Sequence, residues 1–265
     1  MRNLFFLNNN HPHYDHYNND LKAESTLEKC WVIFAYLLPG IIFTLLVNVK
    51  WIHDSLSGAF SLSANQYQFW LLILLTFGWH MLYPVLMLKL KKGYNWKEIM
   101  EALSIDQFSI KGFFLITPLF FILVLLVGVP YMKFAFPVAH NFLQSIDLFA
   151  IPEHSVFYDY SKIYGFASWQ LTLLFIGNFV GEEIYFRGYL MKRSAFLGKH
   201  NWWIHSILFS LYHFWQIPMT YALAFIALSF GLFMMWRKNL YELMLLHFMI
   251  NLFLPIVVQV VEQYF

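Results

Sequence analysis

Seven stretches of apolar residues constrain this chain more than any other feature, because each is close to the length that crosses a lipid bilayer. About 20 helical residues span roughly 30 Å of hydrocarbon, and a segment inside it must satisfy its own backbone hydrogen bonds. The sequence therefore predicts an all-α fold, a polytopic transmembrane helix bundle of about seven spans. The predicted spans are Cys30–Val49, Phe69–Leu88, Gly112–Tyr131, Trp169–Tyr189, Trp202–Trp215, Tyr221–Trp236 and Leu240–Val261.

Two parts of this pattern depart from a regular span. The aromatic, mildly polar loop Lys133–Ala167 could hold an interfacial helix. An eighth span there would disturb the alternation of basic loops, so we prefer seven. The fifth stretch, Trp202–Trp215, is short and ends before Pro218, which predicts a tilted or partial crossing.

The composition agrees with a membrane protein. Of the 265 residues, 60% are hydrophobic and 12% are charged, whereas soluble domains are about 25% charged. The net charge of +2 is too small to indicate a nucleic-acid partner. The single cysteine, Cys30, excludes an intrachain disulfide and a cysteine-based zinc site.

The chain divides into three parts. Residues 1–28 are polar and rich in Asn and His, a composition typical of a solvated, disordered tail. A metal-binding role for its histidines His11, His13 and His16 is the alternative. N-terminal helices and the loop follow over 29–164, and a C-terminal core over 165–265 contains most of the buried ionisable residues.

The basic residues predict the orientation. With the N-terminus in the cytoplasm, 13 of them lie inside, only Lys50, Lys133 and Lys162 lie outside, and Arg187 lies within a span. Cytoplasmic loops carry the excess of Lys and Arg. We therefore predict an integral membrane protein with a cytoplasmic N-terminus. The compact chain and polar tail favour a bacterial plasma membrane.

Three charged residues lie inside the fourth span, where each costs a few kcal/mol to insert. Glu183 and Arg187 are four residues apart, so they share a helix face and can form an ion pair. Glu182 points about 100° away and has no such partner on its helix. This predicts that Glu182 faces a polar cavity and is available for chemistry. The alternative is that all three residues form one structural network.

Further polar side chains lie at matching depth on two other helices. Glu182, His213 and His247 each lie nine to eleven residues from a basic or aromatic residue at the end of their span, roughly 13 to 17 Å of helix. Asn251 follows His247 by one turn on the same face. The shared depth predicts one water-filled pocket nearer the cytoplasm. For His80, in the second span, only a packed or hydrogen-bonded role is expected.

These residue types suit the hydrolysis of a carbonyl compound. A buried carboxylate and an imidazole can hold a water molecule and remove its proton. The remaining His and Asn can donate hydrogen bonds to an oxyanion. Two His and one Glu can instead hold zinc, which would make Glu182, His213 and His247 the ligands. Because no His-Glu-x-x-His motif is present, we disfavour zinc and expect no cofactor.

The order and spacing of these residues resemble the CAAX protease and bacteriocin-processing family, also called CPBP or Abi. This family includes the type II CAAX prenyl endopeptidases. The resemblance covers roughly residues 165–255 and rests on three motifs on successive helices. The motifs are Glu-Glu-x-x-x-Arg at Glu182, Glu183 and Arg187, Phe-x-x-x-His at Phe209 and His213, and His-x-x-x-Asn at His247 and Asn251.

The resemblance implies an intramembrane glutamic endopeptidase whose partners are the lipid bilayer and a membrane-anchored or lipidated protein or peptide substrate. In such an enzyme Glu182 and His213 would activate water, and His247 and Asn251 would form the oxyanion hole. The implied supporting residues are Glu183, Arg187 and Phe209.

Two other functions compete with this interpretation. A non-proteolytic bacteriocin-immunity or scaffold protein would not need the complete motifs. A proton-coupled transporter would be expected to show inverted repeats or paired broken helices, and the sequence shows neither.

Overall fold

The computed structural model describes residues 13–146, 151–155, 157–158, 166–216 and 224–264, and these residues form helices and turns without a strand. The predicted all-α membrane helix bundle is confirmed. Helices α4, α6 and α7 contain π-helical turns. The helices are α1 (Tyr14–Leu21), α2 (Thr26–Asn48), α3 (Lys50–Ala59), α4 (Ala64–Lys91), α5 (Trp96–Ala102), α6 (Gly112–Leu143), α7 (168–193), α8 (Asn201–Tyr212), α9 (Ala224–Arg237) and α10 (Leu240–Tyr264).

Local sequence determines where three of these helices begin. Each starts with a capping box, in which a polar residue accepts from a backbone N–H three residues later and the side chain at that position returns the bond. These reciprocal bonds satisfy two backbone donors that the first helical turn leaves without partners. The pairs are Ser25 with Glu28 in α2, Ser63 with Gln66 in α4, and Asn95 with Glu98 in α5.

Among the residues that the structure describes, four helical segments are long and apolar enough to cross a membrane. They are Thr26–Asn48, Ala64–Lys91, Gly112–Leu143 and Leu240–Val257. Helix α9 is a shorter apolar helix. Helix α8 has 12 residues, about 18 Å at 1.5 Å per residue, a length that suits a tilted or partial crossing. The total of seven crossings stays a prediction.

Helix α6 is longer than the sequence pattern predicts. The third span was expected to end at Tyr131, but the helix continues to Leu143. A π-helical turn, Tyr131–Ala135, follows Pro130, and the next α-helical segment has a proline in its first turn. Proline has no backbone N–H to bond back into the preceding turn, and here it follows the π-helical turn. The first eleven residues of the predicted loop, 133–143, are helical.

The N-terminal segment also differs from the predicted tail. Residues 1–12 lie outside the described part of the chain, but Tyr14–Leu21 forms a helix whose residues Tyr14, Tyr17 and Leu21 are buried. These residues recur at helical spacing, so one face of α1 is apolar. That face packs against α5 and the end of α7, where the Ala23 N–H donates to the Arg193 carbonyl at 3.0 Å. A high density of Asn and His concealed this short amphipathic pattern.

The packing of the bundle places α8 between α2 and α9, and α10 against α6 and α7. At Gly40, α2 meets α8 so closely that a Cβ would lie 1.9 Å from the Tyr212 carbonyl oxygen. Small residues allow helices to approach in membranes, where packing replaces the hydrophobic effect. Large apolar side chains such as Leu74, Phe114 and Leu126 remain exposed on the outside, as expected of a surface that faces lipid.

Candidate active site

Glu182 of α7 lies between two π-helical turns, Gly177–Gly181 and Glu183–Leu190, and Glu183 is the first residue of the second turn. These turns pack against the π-helical segment Leu74–Leu82 of α4. A Cβ on Gly181 would lie 2.7 Å from the Thr76 carbonyl oxygen, so glycine permits this close approach. π-Helical turns are rare and frequently occur at functional sites.

Glu182 lies opposite His213. Its Oε1 is 3.7 Å from His213 Nε2, and both side chains are buried. Helix α8 ends at Tyr212, and His213 turns out of it with ψ 47°. The Nδ1 of His213 is 2.9 Å from the Phe209 carbonyl oxygen, which can only accept. Nδ1 therefore carries the hydrogen, and in the neutral ring Nε2 presents a lone pair towards Glu182.

Two asparagines extend this site. Asn178 Nδ2 donates to Glu182 Oε1 at 3.2 Å, and Asn251 Nδ2 donates to Asn178 Oδ1 at 2.6 Å. No role was predicted for Asn178 from the sequence. Its spacing of four residues from Glu182 is the pattern that could have assigned it to the site.

Glu183 joins two side chains rather than one. Its Oε1 accepts from Arg187 Nη1 at 2.9 Å and lies 2.7 Å from His247 Nδ1. Glu183 and Arg187 are fully buried, and His247 is nearly so. The structure thus places His247 against Glu183.

Phe209 contacts Arg187 through its ring. The Arg187 guanidinium carbon lies 3.9 Å from the Phe209 ring centroid and 5.0 Å from that of Phe230. A cation over an aromatic face is attracted by the ring quadrupole. Phe209 also supplies the carbonyl that orients His213, so one residue contacts both halves of the site.

A cavity of about 670 Å³ opens beside Glu182 and His213. Its polar part includes Asn178 and Asn251, while much of the remaining wall is apolar. His247 is not among the lining residues. Glu182, His213 and Asn251 line this one cavity, and Glu183 holds His247 at Nδ1. Apolar lining residues include Leu72, Leu75, Phe157, Leu171, Leu174 and Phe175.

His80 has the packed, hydrogen-bonded role expected of it, and Tyr212 is the partner that the sequence did not indicate. Tyr212 OH is 3.0 Å from His80 Nε2, and both side chains are fully buried. Tyr212 lines the cavity directly before His213, so the bond anchors the end of α8 to α4. Only the depth of His80 in its span, and no motif, could have indicated this contact.

The alternative zinc set was Glu182, His213 and His247. In the described part of the chain, the potential ligand atoms of these three residues do not all lie within 4.8 Å of one another.

Residues 164–253 match the model of the family described as type II CAAX prenyl endopeptidase Rce1-like. This segment is therefore similar to that family. The matched range contains all three motifs and confirms the resemblance that they predicted. No curated protein and no solved structure matches the chain.

The match supports an intramembrane CAAX-type protease in general. The apolar helices of the chain agree with an integral membrane location. A membrane-associated protein is the class of substrate that such a family implies.

Proposed function

We propose that the chain is an endopeptidase of the glutamic type, in which Glu182 and His213 activate a water molecule. The observation that carries this proposal is the approach of Glu182 Oε1 to His213 Nε2, 3.7 Å apart at the wall of a cavity. Both atoms are hydrogen-bond acceptors when the ring is neutral. A water molecule between them would donate one hydrogen to each and present a lone pair to a carbonyl carbon.

The proposed reaction uses Glu182 first as a base and then as an acid. The water oxygen bonds to the scissile carbonyl carbon, and its proton moves to the Glu182 carboxylate. When the tetrahedral intermediate collapses, the C–N bond breaks and Glu182 returns the proton to the amine nitrogen. A carboxylic acid, which keeps the second hydrogen of the water, and an amine result, and Glu182 recovers its charge.

His247 and Asn251 are the proposed oxyanion donors. Asn251 uses one amide hydrogen on Asn178 and has a second to offer. The contact with Glu183 occupies His247 Nδ1, so a donor role needs a hydrogen on Nε2 as well. The negative charge of Glu183 would balance the resulting imidazolium, which gives Glu183 and Arg187 a supporting function. This chemistry requires no metal ion.

The proposed substrate is a lipidated or strongly apolar protein tail. The cavity has apolar walls beside the Glu182–His213 pair, so an apolar substituent and a reacting peptide bond could be bound together. With a cytoplasmic N-terminus, as the basic residues predict, the site would lie nearer the cytoplasmic side of a bacterial plasma membrane.

The test is cleavage of a peptide that ends in a prenylated cysteine followed by three residues. Glu182→Ala and His213→Ala should abolish cleavage by protein that inserts and purifies normally, while the exposed Glu24→Ala should cleave at the wild-type rate. The cleavage rate of chelator-treated protein that is still folded would decide between the glutamic and the zinc mechanism.

The competing function is a non-proteolytic immunity or scaffold protein. In cells, wild type and Glu182→Ala should differ in membrane peptides with altered C-termini. Identical peptide C-termini, together with full biological activity of Glu182→Ala, would favour the non-proteolytic function.

A further inference from the structure

A second group of potential metal ligands lies far from Glu182, where α1 packs on the bundle. His13 directly precedes α1, and α1 is fixed by the burial of Tyr14 and Tyr17. Tyr17 OH donates to Glu101 Oε2 at 2.9 Å, which ties α1 to the end of α5. His13 is thereby placed beside Glu101, with its Nε2 3.8 Å from Glu101 Oε1.

The turn after α5 brings a third ligand to the same place. Ser104 has φ +61°, and its N–H donates to the Glu101 carbonyl at 3.0 Å. The next N–H, of Ile105, donates to the Met100 carbonyl at 2.9 Å. This reversal closes the end of the helix and returns Asp106 alongside Glu101. One ligand atom each from His13, Glu101 and Asp106 then lies within 4.8 Å of the others.

We propose that His13, Glu101 and Asp106, which we call the α1 cluster, bind one divalent transition-metal cation of the zinc type. One imidazole and two carboxylates are ligands that Zn²⁺ accepts, with water in the fourth position. Imidazole disfavours Mg²⁺ and Ca²⁺, which prefer oxygen ligands. The cation would balance two carboxylate charges, a role that the exposed Lys97, 3.9 Å from Glu101 Oε1, serves only weakly.

Binding requires a small contraction. Tetrahedral ligands at about 2.0 to 2.1 Å from zinc lie roughly 3.3 Å from one another, closer than the 4.8 Å limit that the three atoms satisfy. The His13 side chain is 41% exposed, so it has room to rotate, whereas Glu101 is held by Tyr17. The bound ion would connect α1 to α5 directly and, through the contacts of α1, to the end of α7.

This site has a consequence for studies of metal dependence. Lys192, which lies under α1 with its Nζ 4.9 Å from the Tyr14 ring centroid, is ten residues along α7 from Glu182, roughly 15 Å of helix. Metal found in purified protein, or destabilisation by a chelator, would therefore report on the α1 cluster without involving the catalytic residues.

The experiment is Zn²⁺ titration of the full chain in detergent, purified without a polyhistidine tag and treated with chelator beforehand. Wild type should bind one Zn²⁺ per chain and show a higher Tm with the ion. His13→Ala and Asp106→Asn should weaken binding at least tenfold and abolish the Tm increase. Their metal-free Tm values, compared with wild type, would establish that both variants are folded.

Two controls separate this site from others. His16→Ala removes an exposed histidine of the same helix and should bind Zn²⁺ like wild type, as should Glu182→Gln. Three results would each overturn the proposal. They are wild-type affinity for Zn²⁺ in His13→Ala, loss of Zn²⁺ binding in Glu182→Gln alone, and no binding by wild type at 100-fold molar excess of Zn²⁺. Failure of the proposed protease mechanism would leave these results unchanged.

Discussion

The contact of Glu183 with both Arg187 and His247 leads to a prediction that separates folding from chemistry. Glu183→Gln keeps the size of the side chain but removes its charge. Arg187 would then be a buried cation whose Nε and Nη2 also have no partner among the described residues. Removing one partner of a buried ion pair costs about 3–5 kcal/mol, which lowers the ratio of folded to unfolded protein by roughly 10² to 10³ or more, since about 1.4 kcal/mol is a factor of ten.

A double variant distinguishes the two roles of Glu183. Glu183→Met with Arg187→Met removes both charges and replaces them with apolar side chains of similar length. Such replacements are often neutral or stabilising, so most of the lost stability should return. Cleavage should stay impaired, because His247 Nδ1 would still lack the carboxylate that now lies 2.7 Å away.

The assay compares unfolding and cleavage on the same preparations. Unfolding in a denaturing detergent gives the free-energy difference, and the initial rate with the prenylated peptide gives the activity. Glu24→Gln, an exposed change of the same type, serves as the matched control. Wild-type cleavage by the double variant would refute the supporting role of Glu183. Unchanged stability of Glu183→Gln would refute the claim that Glu183 balances the buried charge of Arg187.

Three further predictions concern packing and pH. Gly40→Ala places a Cβ 1.9 Å from the Tyr212 carbonyl oxygen, and this overpacking should cost about 1–3 kcal/mol and reduce cleavage. Gly58→Ala, with nothing within 4 Å, should lower neither Tm nor activity. Lys192 lies beyond the predicted span, and burial lowers its pKa to about 7. The unfolded chain holds the extra proton between pH 7 and about 10, so Tm should rise with pH across that window, and Lys192→Met should reduce the rise. His80→Leu removes the bond to the Tyr212 hydroxyl, which should cost about 1–3 kcal/mol and lower kcat, while the double variant with Tyr212→Phe should cost less than the sum of the single changes.

Spacing along single helices predicted contacts that are local in sequence. Glu183 and Arg187 form the contact expected of residues four apart, and Glu182 points away from that pair, towards His213. The all-α class followed from apolar segments of about 20 residues, the length that crosses a bilayer as a helix. These features depend on one helix at a time, so the sequence pattern contained them.

Contacts between helices followed from the sequence only in part. Matching depth placed Glu182 and His213 together, but depth does not specify the rotation of a helix, so the contact of His247 with Glu183 was not predicted. The pairing of His80 with Tyr212 likewise depends on how α4 and α8 cross. The third span was expected to end at Tyr131, yet a π-helical turn carries the helix past Pro130.

The central claim of the proposed mechanism is that Glu182 accepts the proton of the attacking water molecule. The direct measurement is kcat/KM for the prenylated peptide with wild type and Glu182→Gln, reconstituted in the same lipid and matched in Tm. A positioned general base contributes about 10²- to 10⁴-fold, so a fall of at least 100-fold, chiefly in kcat, is expected. A Glu182→Gln protein that retains kcat/KM within threefold of wild type would contradict the proposed mechanism.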